Sequence, residues 1–343
     1  MYISAQTLDD LLREVFGRLL KSKSHIEPRR KAGKELIGVL LELKNPRARL
    51  SRTEKKGVPF SCLGEFLWYF SGRNDLDFIC HYVPQYREES DDGKTIHGAY
   101  GPRLMGKQGV NQVENVLNLL GTRRDSRRAV IQLFSAEDLA GDYKDIPCTC
   151  TLQFMLRRNR LHMLTSMRSN DAFRGLPHDV FAFTMMQEIF ARTLKVELGT
   201  YKHVVGSLHL YDKDRDGAQA FLDEGWQRSI AMPSMPLDDT EPLKALQKVL
   251  RAEEMIRRNR AIDISKLRLD SYWEDLVRLL QIYQYYAQDR KTPSFSLKKE
   301  SQAAIVKIKK EMKSRMYDVY INKKRRAAER KLISQGPVQA RLL

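Results

Sequence analysis

The apolar positions fall into two regimes along the chain. In the first, short β-compatible runs alternate with longer apolar stretches. Residues 35–43 (ELIGVLLEL) end at Asn45-Pro46 and predict a strand followed by a turn. Residues 60–70 (FSCLGEFLWYF) are apolar on most faces, the pattern of a buried helix. Strand character returns at residues 129–134, 149–156, 161–166 and 203–211, and residues 179–194 predict a long helix rich in Phe and Met. This alternation predicts an α/β core in which a sheet is covered by long helices.

The second regime begins after Pro236. Residues 243–257 and 272–286 carry helical spacing, with Leu276, Leu279, Leu280 and Tyr283 on one stripe. Beyond Pro293 the chain is lysine-rich with sparse apolar positions. The expected division is a core over residues 1–240 and a helical extension over residues 241–343, strongly basic from 290.

Charge changes the picture only when it is located. Of the formal +17, residues 290–343 carry +12, from 16 Lys and Arg against four Asp and Glu. The excess is a tail, with Lys323-Lys324-Arg325-Arg326 its densest part. The first expectation for such a run is a solvated helix face, and the second is contact with nucleic acid or another protein. With 42% apolar residues the 343-residue chain can bury a sizeable core. It has no apolar run of membrane-spanning length, and its start, MYISAQTLDDLLREVF, is acidic where a secretory signal would be basic. A cytoplasmic protein with no membrane partner is expected. The four cysteines show no zinc-site spacing, so reduced thiols and no metal are expected.

Several segments could carry chemistry. Cys148 follows Pro147 at the head of an apolar strand; a thiol there is either a small core hydrophobe or a nucleophile. Asp125-Ser126-Arg127-Arg128 and Met167-Arg168-Ser169-Asn170-Asp171 place guanidiniums and hydroxyls at strand ends, which suits a phosphate. Asp179 follows Gly175-Leu176-Pro177-His178 and could cap the following helix. His209 and Tyr211 alternate with leucines, so both rings face one side of a strand. Glu65 is an acid in an apolar helix, and an elevated pKa would suit proton transfer.

Taken in order, these segments resemble the family of thymidylate synthases and pyrimidine hydroxymethylases, over roughly residues 30–215. The motifs are Glu65 to Trp68, Ala99-Tyr100-Gly101, Asp125 to Arg128, Pro147-Cys148, Arg168 to Asp171, Gly175-Leu176-Pro177 and His209-Leu210-Tyr211. The resemblance implies a mixed sheet packed by long helices. It also implies a homodimer acting on a pyrimidine nucleoside monophosphate, with 5,10-methylenetetrahydrofolate as one-carbon co-substrate. Cys148 would add to C6 of the base. Arg168 and Ser169 would hold the phosphate, with Arg127 and Arg128 reaching it from the second subunit and Arg29 or Arg30 adding a contact. His209 and Tyr211 would bind the ribose, Tyr100 would line the site, Glu65 would organise water and protons, and Asp171 would lie at the folate.

Two departures from the family pattern set the expected substrate and product. Asp179 stands where thymidylate synthases carry Asn. An ionised carboxylate only accepts hydrogen bonds, which suits the amino group of cytosine, so dCMP or CMP is expected rather than dUMP. The segment Cys80 to Tyr86 lacks the tryptophan of the synthases, and the basic extension replaces their closing tail. Water capture of the one-carbon unit, giving a 5-hydroxymethyl product, is therefore expected over methylation. The competing expectations are a dUMP-methylating synthase and a non-catalytic nucleic-acid-binding relative.

Overall fold

The computed structural model describes residues 1–27, 32–54, 56–106, 109–228, 230–237, 241–289 and 297–322. The chain divides into two compact units, Met1–Leu243 and Lys244–Leu343. Arg29, Arg30 and Lys323-Lys324-Arg325-Arg326 lie outside the described residues.

The first unit is built on a six-stranded mixed sheet. Its strands are β1 (Tyr2–Ala5), β2 (Gly33–Leu43), β3 (Val130–Gln132), β4 (Thr149–Arg157), β5 (Arg160–Asp171) and β6 (Glu197–Tyr211). Their spatial order is β1-β2-β6-β5-β4-β3. The β1/β2 and β5/β6 pairs are parallel and the other three antiparallel. The first helix, α1 (Leu8–Lys21), forms because Thr7 caps it, accepting the Asp10 N–H at 3.1 Å. Leu8, Leu11, Leu12, Val15, Phe16 and Leu19 then make one buried stripe. Next come α2 (Pro59–Phe70), α3 (Leu76–Tyr82), α4 (Tyr100–Met105), α5 (Gln112–Thr122), α6 (Gly175–Thr193) and α7 (Arg215–Asp223).

Helix α6 lies at the centre of this unit, packed on β5, β6 and α2. It is apolar nearly all round because it is covered nearly all round, with Val180, Phe181, Phe183, Met185, Met186, Ile189 and Phe190 at or below 1% exposure. Its one buried acid in mid-helix, Glu188, is paired with the equally buried Arg49, and Glu188 Oε1 accepts the Met235 N–H at 3.0 Å. Gly64 lets α2 approach its neighbour: a Cβ there would lie 2.1 Å from the Tyr82 ring.

The structure revises three local expectations. The Arg168 to Asp171 segment continues β5 rather than following it, because its backbone stays in register with β6 from Ser169↔Ser207 to Asp171↔His209. Asp179 is not a helix cap: α6 starts at Gly175 with Arg174 at the cap position, and Asp179 sits buried in the second turn. Helices α1, α5 and α7 lie where the apolar pattern was not resolved into elements.

The second unit contains most of α8 (Pro242–Arg257), then α9 (Ser271–Asp289) and α10 (Lys299–Glu311). Trp273, Leu276, Leu279, Leu280 and Tyr283 of α9 are buried, as the spacing predicts. The chain beyond α10 is tied back by polar contacts: Asp275 accepts the Lys313 and Ser314 N–H groups at 3.1 and 2.8 Å, and the Tyr286 hydroxyl donates to the Ile321 carbonyl at 3.1 Å. Among the described residues no helix is long and apolar enough to cross a membrane.

Candidate active site

Parallel pairing of β5 and β6 brings their C-terminal ends together, and β4 runs antiparallel to β5, so its N-terminal end arrives at the same edge. Cys148 directly precedes β4, next to a register shift between Thr149 and Thr151. Such a bulge re-aims side chains at a strand end. The Cys148 carbonyl accepts the Arg168 N–H at 2.9 Å, which fixes the Cys148 loop to β5. The Arg168 guanidinium folds back over that loop, donating to the Pro147 and Ile146 carbonyls at 3.0 and 3.1 Å, and Nη2 lies 3.7 Å from the Cys148 Sγ. Burial pushes the thiol up to about 12 despite Arg168, with the Asp145 and Asp179 carboxyls adding to the rise. The resting group is a thiol.

Behind the cysteine, the Tyr100 hydroxyl receives two hydrogen bonds from Thr149, from N–H at 3.1 Å and Oγ1 at 2.9 Å. Burial lifts Tyr100 well above its ordinary value, and the nearby Asp179 and Cys148 add to the rise. Asp179 takes the Asn170 Nδ2–H at 2.7 Å. Gly175 is needed beside that bond, because a Cβ would lie 3.0 Å from Asn170 Nδ2 and 3.4 Å from Asp179 Oδ2. Burial and then the Glu65 charge push Asp179 up to about 7, against the Asn170 hydrogen bond and His178. Asn170 Oδ1 is buried with no partner among the described residues, so the polar floor of this region has an acceptor to spare.

Glu65 differs from expectation. Burial alone would raise its pKa, yet the value lies below the ordinary carboxylate. His178 supplies the reason, with its Nδ1 2.6 Å from Glu65 Oε2, while the Tyr86 hydroxyl donates to Oε1 and Tyr69 adds a further hydrogen bond. Glu65 is an ionised, fully partnered carboxylate.

At the strand ends, Ser169 Oγ lies 3.5 Å from His209 Nδ1, and the His209 and Tyr211 rings meet edge to face at 4.8 Å. Asp171 Oδ1 accepts the Phe173 and Arg174 N–H groups at 2.8 and 3.0 Å. Those bonds hold the carboxylate at the turn into α6. Arg127 and Arg128 are exposed just before β3. Val130 pairs with Gln153, which puts both arginines beside the far half of β4. Gln153 Nε2 donates to the Arg127 carbonyl at 3.1 Å, and at about 3.3 Å per residue Gln153 lies on the order of 15 Å along the strand from Cys148. The structure therefore brings together Cys148, Arg168, Ser169, Tyr100, Asp171, Asp179, Glu65, His209 and Tyr211, and leaves Arg127 and Arg128 apart.

His178, Tyr86 and Asn170 belong to this constellation; each stands within a segment quoted from the sequence, but none has a role assigned there. His178 meets Glu65 across 113 residues, a contact only the packing of α6 on α2 creates. Among the described residues, no cluster of three or more His, Cys, Asp or Glu is placed to hold a metal ion.

The fold is that of the thymidylate synthases. The crystal structure of thymidylate synthase from T4 phage superposes with a TM-score of 0.58 over 72% of this chain and 92% of that one, at 18% identity. The family model for thymidylate synthase matches residues 42–269, and the chain belongs to that family. It is similar to the deoxyuridylate hydroxymethyltransferase of Pseudomonas phage M6, 36% identical over 163 residues, or 47% of this chain and 46% of the phage protein. The deoxyuridylate hydroxymethyltransferase of Bacillus phage SP01 is 30% identical over 218 residues, 60% of this chain and 57% of that protein. Thymidylate synthase of Bacillus licheniformis is 33% identical over 175 residues, 48% and 61% of the two chains. The chain thus spans about half of the length of the curated relatives it matches.

Proposed function

We propose that this chain transfers a one-carbon unit to C5 of a pyrimidine nucleoside monophosphate and releases a 5-hydroxymethyl product. The observation that carries the reading is the assembly of a half-buried thiol, a guanidinium 3.7 Å from it, and two carboxyls of opposite protonation tendency near one sheet edge. Cys148 adds as thiolate to C6 of the base, which makes C5 a nucleophile. The co-substrate, 5,10-methylenetetrahydrofolate, supplies the methylene. Arg168 and Ser169 hold the nucleotide phosphate, His209 and Tyr211 the sugar, Tyr100 lines the site beside Cys148, and Asp171 faces the pterin. Because the thiol rests protonated, binding and proton removal must precede attack.

Asp179 reads the base. Ionised, it accepts from the exocyclic amino group of cytosine, which favours dCMP or CMP. A second reading is favoured by the names of the phage relatives and by the position of Asp179 at about 7. A protonated carboxyl offers one donor and one acceptor, as an amide does, and so fits the N3–H and O4 edge of uracil as well.

Arg127 and Arg128 enter through a second copy of the chain. Their distance from Cys148 within one chain supports a homodimer in which each subunit lends them to the other's phosphate site. Arg29 or Arg30 adds a phosphate contact. The protein is read as cytoplasmic, and its basic tail as a solvated face with nucleic acid the alternative partner.

The deciding experiment incubates the chain with methylenetetrahydrofolate and dCMP, CMP or dUMP and identifies the product by mass. A hydroxymethyl nucleotide with tetrahydrofolate is expected. Formation of dTMP with dihydrofolate makes the chain a synthase, and no turnover of any nucleotide, with no folate-independent exchange of the C5 proton, leaves the non-catalytic reading.

A further inference from the structure

Between helix α2 and the start of α6, Ser61, His178 and Glu65 form a hydrogen-bonded chain in which His178 has so far been given no role. His178 is half-buried, with 16% of its side chain exposed, and bridges two groups of α2: Nδ1 lies 2.6 Å from Glu65 Oε2, and Nε2 lies 3.2 Å from Ser61 Oγ. If Nδ1 carries the proton toward Glu65, Nε2 either donates to Ser61 as imidazolium or accepts from it as neutral ring. The serine serves both, because its own hydroxyl also reaches the Val58 carbonyl at 3.3 Å. The groups facing His178 are Ser61, Cys62 and Glu65 from α2 and Asp179 beside it on α6. Those facing Glu65 are His178 and Asp179 from α6, Tyr86 from the turn Pro84–Glu89, and Tyr69 on α2. In this set the formal cation is the His178 ring, and the two tyrosines hydrogen-bond to Glu65.

We infer that His178 is a positioning residue that holds Glu65 as a carboxylate, so that Glu65 takes the proton of the water that captures the C5 methylene. This rests on the hydroxymethyl reading above. The step balances without an oxidant or reductant: the water oxygen bonds to the exocyclic methylene carbon, and its proton passes to Glu65. The methylene double bond shifts to C5–C6, and the C6–S bond breaks to release Cys148 as thiolate. Burial disfavours charge on His178, yet Cys62 and Glu65 hold its pKa well above that of an ordinary histidine, in accord with the pair being ionic. What His178 supplies is ionisation: burial alone would favour the protonated acid, which cannot take a proton, and the imidazolium keeps the carboxylate available as an acceptor.

The test uses the full chain in two measurements. The ring nitrogens of His178 are followed by NMR in wild type and in Glu65→Gln. Both are expected to stay protonated well above the ordinary histidine value of about 6.5 in wild type, and the ring to titrate near or below that value in the variant. A neutral wild-type ring at pH 7 would overturn the inference. In His178→Gln, which keeps a hydrogen-bond donor without the charge, the acidic limb of kcat for hydroxymethyl formation is expected to move up by about one to three pH units. The nucleotide KM is expected to stay within about threefold. An unmoved limb, or a loss confined to KM, overturns it. A wild-type chain that forms no hydroxymethyl product refutes the reaction, while the ring titration still reports whether the ion pair exists.

Discussion

Replacing Asp179 by Asn gives a prediction whose size follows from the buried environment. Asp179 is 7% exposed, and burial with the Glu65 charge moves it from 3.8 to about 7. The folded state therefore holds the proton more tightly than the unfolded chain. Stability from that proton is fully present below the unfolded value and is lost as pH rises through the folded one. The full shift corresponds to about 4 kcal/mol at 1.36 kcal/mol per unit. At pH 5 only the first part of that penalty has developed, whereas at pH 8.5 all of it has. An isosteric amide carries no such penalty and can still offer its oxygen to Asn170 Nδ2. Asp179→Asn should thus gain on wild type by about 3 kcal/mol between pH 5 and pH 8.5, read from urea unfolding at the two pH values. The same titration bears on the base. Ionisation favours the amino group of cytosine, so the ratio of kcat/KM for dCMP over dUMP should climb between pH 6 and 9 in wild type and stay flat in the variant. Equal stability differences at both pH values, with a flat wild-type ratio, would refute a carboxyl that titrates near neutrality.

The remaining predictions concern the thiol, the core and the proposed sharing of sites between two copies of the chain. With its thiol pushed up to about 12, Cys148 should be alkylated by iodoacetamide at a rate that climbs about tenfold per pH unit to beyond pH 9, as followed on its own peptide; a plateau near pH 7 would contradict this. Arg49→Ala leaves Glu188 buried without its cation and should cost about 3–5 kcal/mol in chemical denaturation, whereas the double change Arg49→Met with Glu188→Leu should cost clearly less. Gly64→Ala drives a methyl into the Tyr82 ring and should cost about 1–3 kcal/mol, with Tyr82→Ala in the same chain recovering part of the clash. Mixing Cys148→Ser chains with Arg127→Ala/Arg128→Ala chains should restore activity that neither has alone; no recovery in exchanged mixtures would argue against shared sites.

What the sequence determined by itself is what depends on neighbours along the chain. Period and length placed the cores of β2, β4, α2, α6, α8 and α9, because burial on one face or all faces writes itself directly into the apolar pattern. The ordered motifs around Cys148, Arg168 and His209 likewise carried the resemblance to a family the chain does belong to. Helices α1, α5 and α7 were less legible, since their polar faces dilute the signal that α6 shows at full strength. Protonation could not be read from sequence at all. Glu65 was expected to be raised by its apolar helix, and the imidazole that lowers it comes from residue 178, on another helix. Asp179, read from sequence as an ionised carboxylate, is instead driven toward neutrality by burial and by Glu65. Only tertiary packing fixes which charges face each other and how much water is removed from around them, and those two quantities set the pKa.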